Sequence, residues 1–270
     1  MQNKPGKTYY VTAEDFDDAV YDCSHTKYVR DNERYSDAAK GIYTFMEAHD
    51  DTVNACAFQL DEMTKTWLKM VEPSVEWDRY QYGMLMYGGI LRWLTVLGHV
   101  SEYFARTANV SGARKMLKWM GDNAIDGSCG SDFVERFLRE FKHDTEGVRV
   151  EQTRVYALAT LRSVVAHELG HVCLGHCNNV SEQRSLSRND EREADLFASS
   201  IAQSMANGLL SVIGTTMVDI SFTWLSSSNK PNMFGDHPDC RERVRNFIES
   251  FNAMLIGHKV TAEALTKLCR

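Results

Sequence analysis

Apolar residues recur along this chain at the three- and four-residue spacing of a buried helix face. The pattern predicts helices near 34–48, 52–71, 79–106, 112–120, 131–143, 153–175, 188–206, 208–225 and 239–257. The sequence holds only four prolines, and no repeat or low-complexity tract breaks the pattern. Strand-like signals are confined to two places. Thr8–Thr12 reads as a short strand, and Val148 and Val150 alternate with polar residues as an edge strand would. The expected fold is mainly α with at most a small β-sheet.

One apolar stretch, 83–100, has about the length of a membrane span. Gln81, Gly88, Arg92, Thr95, His99 and Glu102 nevertheless recur at helical spacing as a narrow polar stripe, which predicts the central helix of a soluble bundle. Asp219 breaks the stretch 208–225 in the same way. Membrane association is not expected.

The predicted helix 153–175 carries the chemistry. From Val155 to Ala166 it has neither Gly nor Pro, and Gly175 followed by Asn178 and Asn179 supplies its stop. Inside it lies His167-Glu168-Leu169-Gly170-His171. Helix residues four apart stack one turn above each other on a single face. Two imidazoles so placed can grip one metal ion, and Glu168, in the turn between them, can act as a base on water that the ion activates.

A catalytic zinc usually takes three protein ligands, so a further donor is needed. His176, Cys177 and Glu191 compete. At 100° per residue, His176 points about 180° and Cys177 about 80° away from His167, and neither can join the pair unless the helix breaks. Glu191 fares better. Ser187 can cap a helix starting at Arg188, with Asp190 in the capping-box position. On that helix Glu191, Ala194, Asp195, Ala198 and Ala202 share a face, and the small residues allow close approach to the first helix. Asp195 can then accept a hydrogen bond from the distal nitrogen of a ligating imidazole.

His167-Glu168-x-x-His171 followed by Glu191-x-x-Ala194-Asp195 resembles the gluzincin metallopeptidases, and within them the HtpX-like and CAAX prenyl-protease branch. That branch carries a later His-Pro followed by Arg, matched here by His237-Pro238 and Arg243. The motifs are also similar to those of the Lit-like phage-exclusion proteases and of short zinc peptidases that cleave repressors. The resemblance implies a zincin-like core at 147–270, with an added N-terminal helical region at 1–146 packed on it. It further implies a zinc-dependent endopeptidase acting on a protein or peptide, with Glu168 as general base. His167, His171 and Glu191 would hold Zn2+. His237 would contact the oxyanion, Tyr156 being a second candidate, while Asp195 and Arg243 would support the site. The contrasting function is a non-catalytic zinc-binding or regulatory protein that keeps the same fold.

Composition adds exclusions. With 270 residues, 43% hydrophobic, the chain can bury roughly three quarters of its unfolded surface. A net charge of −7 argues against nucleic acid or anionic membrane as the main partner. The polar start, Met1 to Lys7, lacks the apolar core of a secretory signal. Seven scattered cysteines suit a reducing compartment better than a disulfide framework, so a cytoplasmic location is expected. Cys173 and Cys177 lack the partner pairs of a structural zinc site and read as core residues.

Overall fold

The computed structural model describes residues 8–124, 127–177, 187–205, 208–228, 240–242, 244–245 and 261–269. Three short helices open the chain: α1 (Ala13–Ser24), α2 (Lys27–Arg30) and α3 (Glu33–Lys40). Thr12 starts α1 through a reciprocal capping box with Asp15. Thr8–Thr12 is not a strand: among the described residues it pairs with no other strand, and the Val11 N–H donates instead to the Thr95 hydroxyl.

The helices predicted at 34–48, 52–71 and 79–106 are each divided. Strand β1 (Ile42–Glu47) follows α3. Strand β2 (Ala55–Gln59) precedes α4 (Glu62–Val71). After a 3-10 turn at Trp77–Arg79, strand β3 (Tyr82–Tyr87) runs directly into α5 (Gly88–Thr107). The strands make one sheet in the order β1-β3-β2, with β1 parallel and β2 antiparallel to β3. β2 is therefore an edge. One sheet face sends Met84 and Met86 into the main core, while Phe45 and Phe58 join a smaller cluster around Leu60, Leu68 and Trp77. Strands that pack apolar groups on both faces need no polar alternation, which is why short apolar runs here imitate helix faces.

The rest is helical. It comprises α6 (Val110–Asn123), α7 (Phe133–Glu140), α8 (Lys142–Thr145), α9 (Val150–Leu174), α10 (Arg188–Ser204) and α11 (Gly208–Ser228), with a last short helix at Ala262–Thr266. Val150 begins α9, so the edge strand expected at Val148 and Val150 does not form. Helix α9 is the axis of the molecule, packed by α1, α5, α10 and α11. From Ala157 onward it is buried on nearly every side and so shows no single apolar stripe. Helix α5 is buried in the same way, and the stripe residues Thr95, His99 and Glu102 lie inside. Gln81 falls outside that helix, just before β3.

One hydrophobic cluster runs from Val11 to Cys269 and draws on both 1–146 and 147–270. Among the described residues, no helix is long and apolar enough to cross a membrane. The cysteine reading needs correction. Cys240 and Cys269 form a disulfide, their Cα atoms 5.9 Å apart, although 29 positions separate them in sequence. Tertiary packing, not spacing, brings them together. Cys23, Cys56, Cys129, Cys173 and Cys177 are free thiols.

Candidate metal centre

The helical spacing of His167 and His171 turns both imidazoles to one side of α9, with their Nε2 atoms 3.1 Å apart. Helix α10 comes in against them. Its start is fixed by Ser187, whose hydroxyl accepts from the Asp190 N–H while the Asp190 carboxylate accepts from the Ser187 N–H. At Gly170, between the two histidines, the helices approach closely. A Cβ added there would stand 3.0 Å from the Ala194 Cα and 3.2 Å from the Ala194 carbonyl oxygen. The missing side chain lets α10 carry Glu191 inward.

Glu191 is buried. Its Oε2 lies 3.2 Å from His167 Nε2 and its Oε1 lies 3.7 Å from His171 Nε2. One donor atom from each of the three residues falls within 4.8 Å of the others. Donors at zinc distances of roughly 2.0–2.1 Å in tetrahedral array stand about 3.3 Å apart. The observed separations lie around that value, so the three residues fit a zinc-sized cation.

The electrostatics point the same way. Burial works against a charge on His167, but hydrogen bonds to Asp195 and Glu191 outweigh it and lift the imidazole to about 10. The two carboxylates thus favour positive charge at this side chain. His167 Nδ1 lies 2.9 Å from Asp195 Oδ1, to which it donates, leaving Nε2 facing the other donors. His171 is driven to about 3, by burial first and then by the charge on His167, and stays a neutral imidazole.

Glu168 projects from the intervening turn toward the sheet. Burial pushes its carboxyl up to about 7, against the opposing pull of His167. Its Oε2 accepts a hydrogen bond of 2.9 Å from the backbone N–H of Ala57 in edge strand β2. In an antiparallel ladder alternate residues face the partner strand. Hydrogen bonds at Asn54 and Leu60 place the even positions of β2 against β3. Ala55, Ala57 and Gln59 therefore turn their backbone groups to the open edge beside Glu168.

Other expectations fare differently. Tyr156 lies eleven residues before His167 on the same helix, about 16 Å along its axis. That rise places it out of reach of the centre and removes it as an oxyanion contact. Burial pushes the Cys177 thiol to about 12, so it remains protonated, and it is not among the three converging residues. His237 and Arg243 lie outside the described residues.

Tertiary packing adds two neighbours to the centre. Nothing in the sequence marks Ala57, whose contribution is a backbone amide. His176 had a readable signal in Gly175, whose left-handed conformation (φ 81°) ends α9 and turns the chain back. His176 Nδ1 thereby lies 3.2 Å from His171 Nδ1, on the side away from Glu191.

Comparison with known proteins adds one positive result. A family model described as Peptidase U49 matches residues 102–260, a span that runs from α5 past α9, α10 and α11 but omits the sheet. No curated protein and no solved structure matches the chain. The family is one of Lit-like proteases, among the likenesses drawn above. Because the match takes in more than half of the chain, including both helices of the centre, this protein belongs to the Peptidase U49 family and is a peptidase.

Proposed function

We propose that this peptidase is a zinc-dependent endopeptidase in which His167, His171 and Glu191 hold the metal and Glu168 is the general base. The observation that carries this reading is the convergence of three donor atoms, from α9 and α10, beside a carboxyl held by an edge-strand amide. A zinc ion bound there would supply Lewis acidity to water and to the scissile carbonyl.

The chain's own groups do the rest. Asp195 fixes the tautomer and orientation of His167. The Ala57 N–H holds Glu168 Oε2, leaving Oε1 to take the proton of the attacking water and return it to the departing nitrogen. A carboxyl raised to about 7 suits transfer in both directions near neutral pH, although a nearby cation would draw it lower. The open edge of β2 offers the backbone groups of Ala55 and Gln59, on either side of the Ala57 anchor, to an extended peptide. Main-chain pairing of that kind needs no chain terminus, which favours cleavage within a protein substrate. His237 is assigned the oxyanion contact, and Arg243 its support, on the sequence motif alone.

The test compares protein N-termini in cells carrying the wild type or Glu168→Gln, with zinc measured in both purified proteins. New termini with the wild type only, at equal zinc content, are expected. Equal cleavage by the variant removes the general-base assignment, and absence of zinc from both removes the metal assignment.

A further inference from the structure

Behind His171 lies a second set of polar groups that the chemistry above does not use. Helix α9 ends in a turn where the His176 N–H donates to the His171 carbonyl at 2.9 Å, and the Gly175 N–H donates to Val172. This turn lays the His176 imidazole against His171, Nδ1 to Nδ1, at 3.2 Å. The His176 side chain is 8% exposed. Its other nitrogen, Nε2, lies 3.2 Å from Glu193 Oε2, and Asn189 Nδ2 donates to Glu193 Oε1 at 2.9 Å. The groups form a line from α10 to the centre: Asn189, Glu193, His176, His171.

Two facing nitrogens can share only one proton, so with both rings neutral this line permits one assignment. A neutral imidazole has one N–H and one lone pair, and which nitrogen carries the proton follows from its partners. Glu193 can only accept, so His176 carries its proton on Nε2 and presents a lone pair at Nδ1. His171 must then donate from its own Nδ1. That leaves the lone pair of His171 on Nε2, the atom facing His167 and Glu191.

We propose that His176, fixed by Glu193, is the positioning residue that sets the tautomer and ring orientation of His171 for metal binding. It does for His171 what Asp195 does for His167, with a neutral imidazole as acceptor and the carboxylate one group further back. This rests on the ligand assignment proposed above. The arrangement also explains why a histidine that points away from the pair on a continued helix sits beside it once Gly175 reverses the chain.

The experiment measures zinc affinity of the full-length protein by competition with a chromophoric chelator, together with the absorption spectrum of the cobalt-substituted protein. His176→Ala and Glu193→Ala should each weaken zinc binding about 10- to 100-fold. His176→Asn places a carbonyl oxygen where Nδ1 stood and should restore affinity to within about threefold of wild type, with a wild-type cobalt spectrum. His176→Gln puts its polar group at the Nε2 position and should not restore it. Undiminished affinity in His176→Ala, or His176→Asn as weak as His176→Ala, overturns the proposal while leaving the ligand set intact. A wild-type protein that binds neither zinc nor cobalt overturns instead the ligand assignment beneath it.

Discussion

His99 offers a test of how the core that carries the centre responds to acid. It lies in α5, on the side that meets Phe137 of α7, and is 6% exposed. Neither ring nitrogen has a hydrogen-bond partner among the described residues, and the nearest ring is Phe137, 6.2 Å away. Burial alone lowers its pKa from 6.5 to about 4. The folded protein therefore binds this proton less readily than the unfolded chain. The resulting stability is fully present above pH 6.5 and is lost as pH falls from 6.5 toward 4. A difference of that size costs about 2 kcal/mol by pH 5 and about 3.4 kcal/mol below pH 4. His99→Leu keeps the approximate volume, removes the titration, and should be at least as stable as wild type at pH 8. Urea unfolding followed by tryptophan fluorescence at pH 8 and pH 5 measures the difference. Wild type should lose about 2 kcal/mol more than His99→Leu between those values. Parallel losses in the two proteins would refute the reasoning.

Four further outcomes are expected. Glu191→Ala should lower zinc retention on dialysis far more than Cys177→Ala, because Cys177 remains a protonated thiol, and the reverse order would move the third ligand to Cys177. Gly170→Val puts a branched side chain against the Ala194 backbone, so overpacking of about 1–3 kcal/mol should appear as a lower melting temperature together with weaker zinc binding. Unchanged zinc affinity in that variant would show that close approach of α10 is not what delivers Glu191. Ala57→Pro deletes the N–H that holds Glu168 at an edge position where no ladder bond is lost. It should cut peptide hydrolysis at least tenfold (about 1.4 kcal/mol) with zinc content intact, and wild-type turnover would dismiss the contact. Reduction of Cys240–Cys269 opens a loop of 29 residues' separation and should lower unfolding free energy by up to about 3.5 kcal/mol. Denaturation curves identical with and without reductant would mean the bond contributes nothing.

The residues that converge on the centre were legible because each obeys a local rule. His167 and His171 share a face by helical periodicity, Ser187 and Asp190 announce the start of α10, and Gly175 announces the end of α9. The three strands were not legible. Ile42–Glu47, Ala55–Gln59 and Tyr82–Tyr87 are five or six residues long and pack apolar groups on both faces, so no alternation separated them from helix. Ala57 escaped notice for a deeper reason, since a backbone amide leaves no trace in side-chain chemistry.

Sequence by itself determined the helical class, the paired imidazoles and their intervening carboxylate, and the second helix that carries Glu191 and Asp195. These follow from the geometry of single helices, which a few neighbouring residues dictate. Only the tertiary structure decided that Glu191 reaches the imidazoles, that β2 presents its free edge to Glu168, that His176 folds back onto His171, and that Cys240 meets Cys269. Each of those depends on how separate elements pack, and packing is settled by the summed burial of the whole core rather than by any stretch of chain read alone.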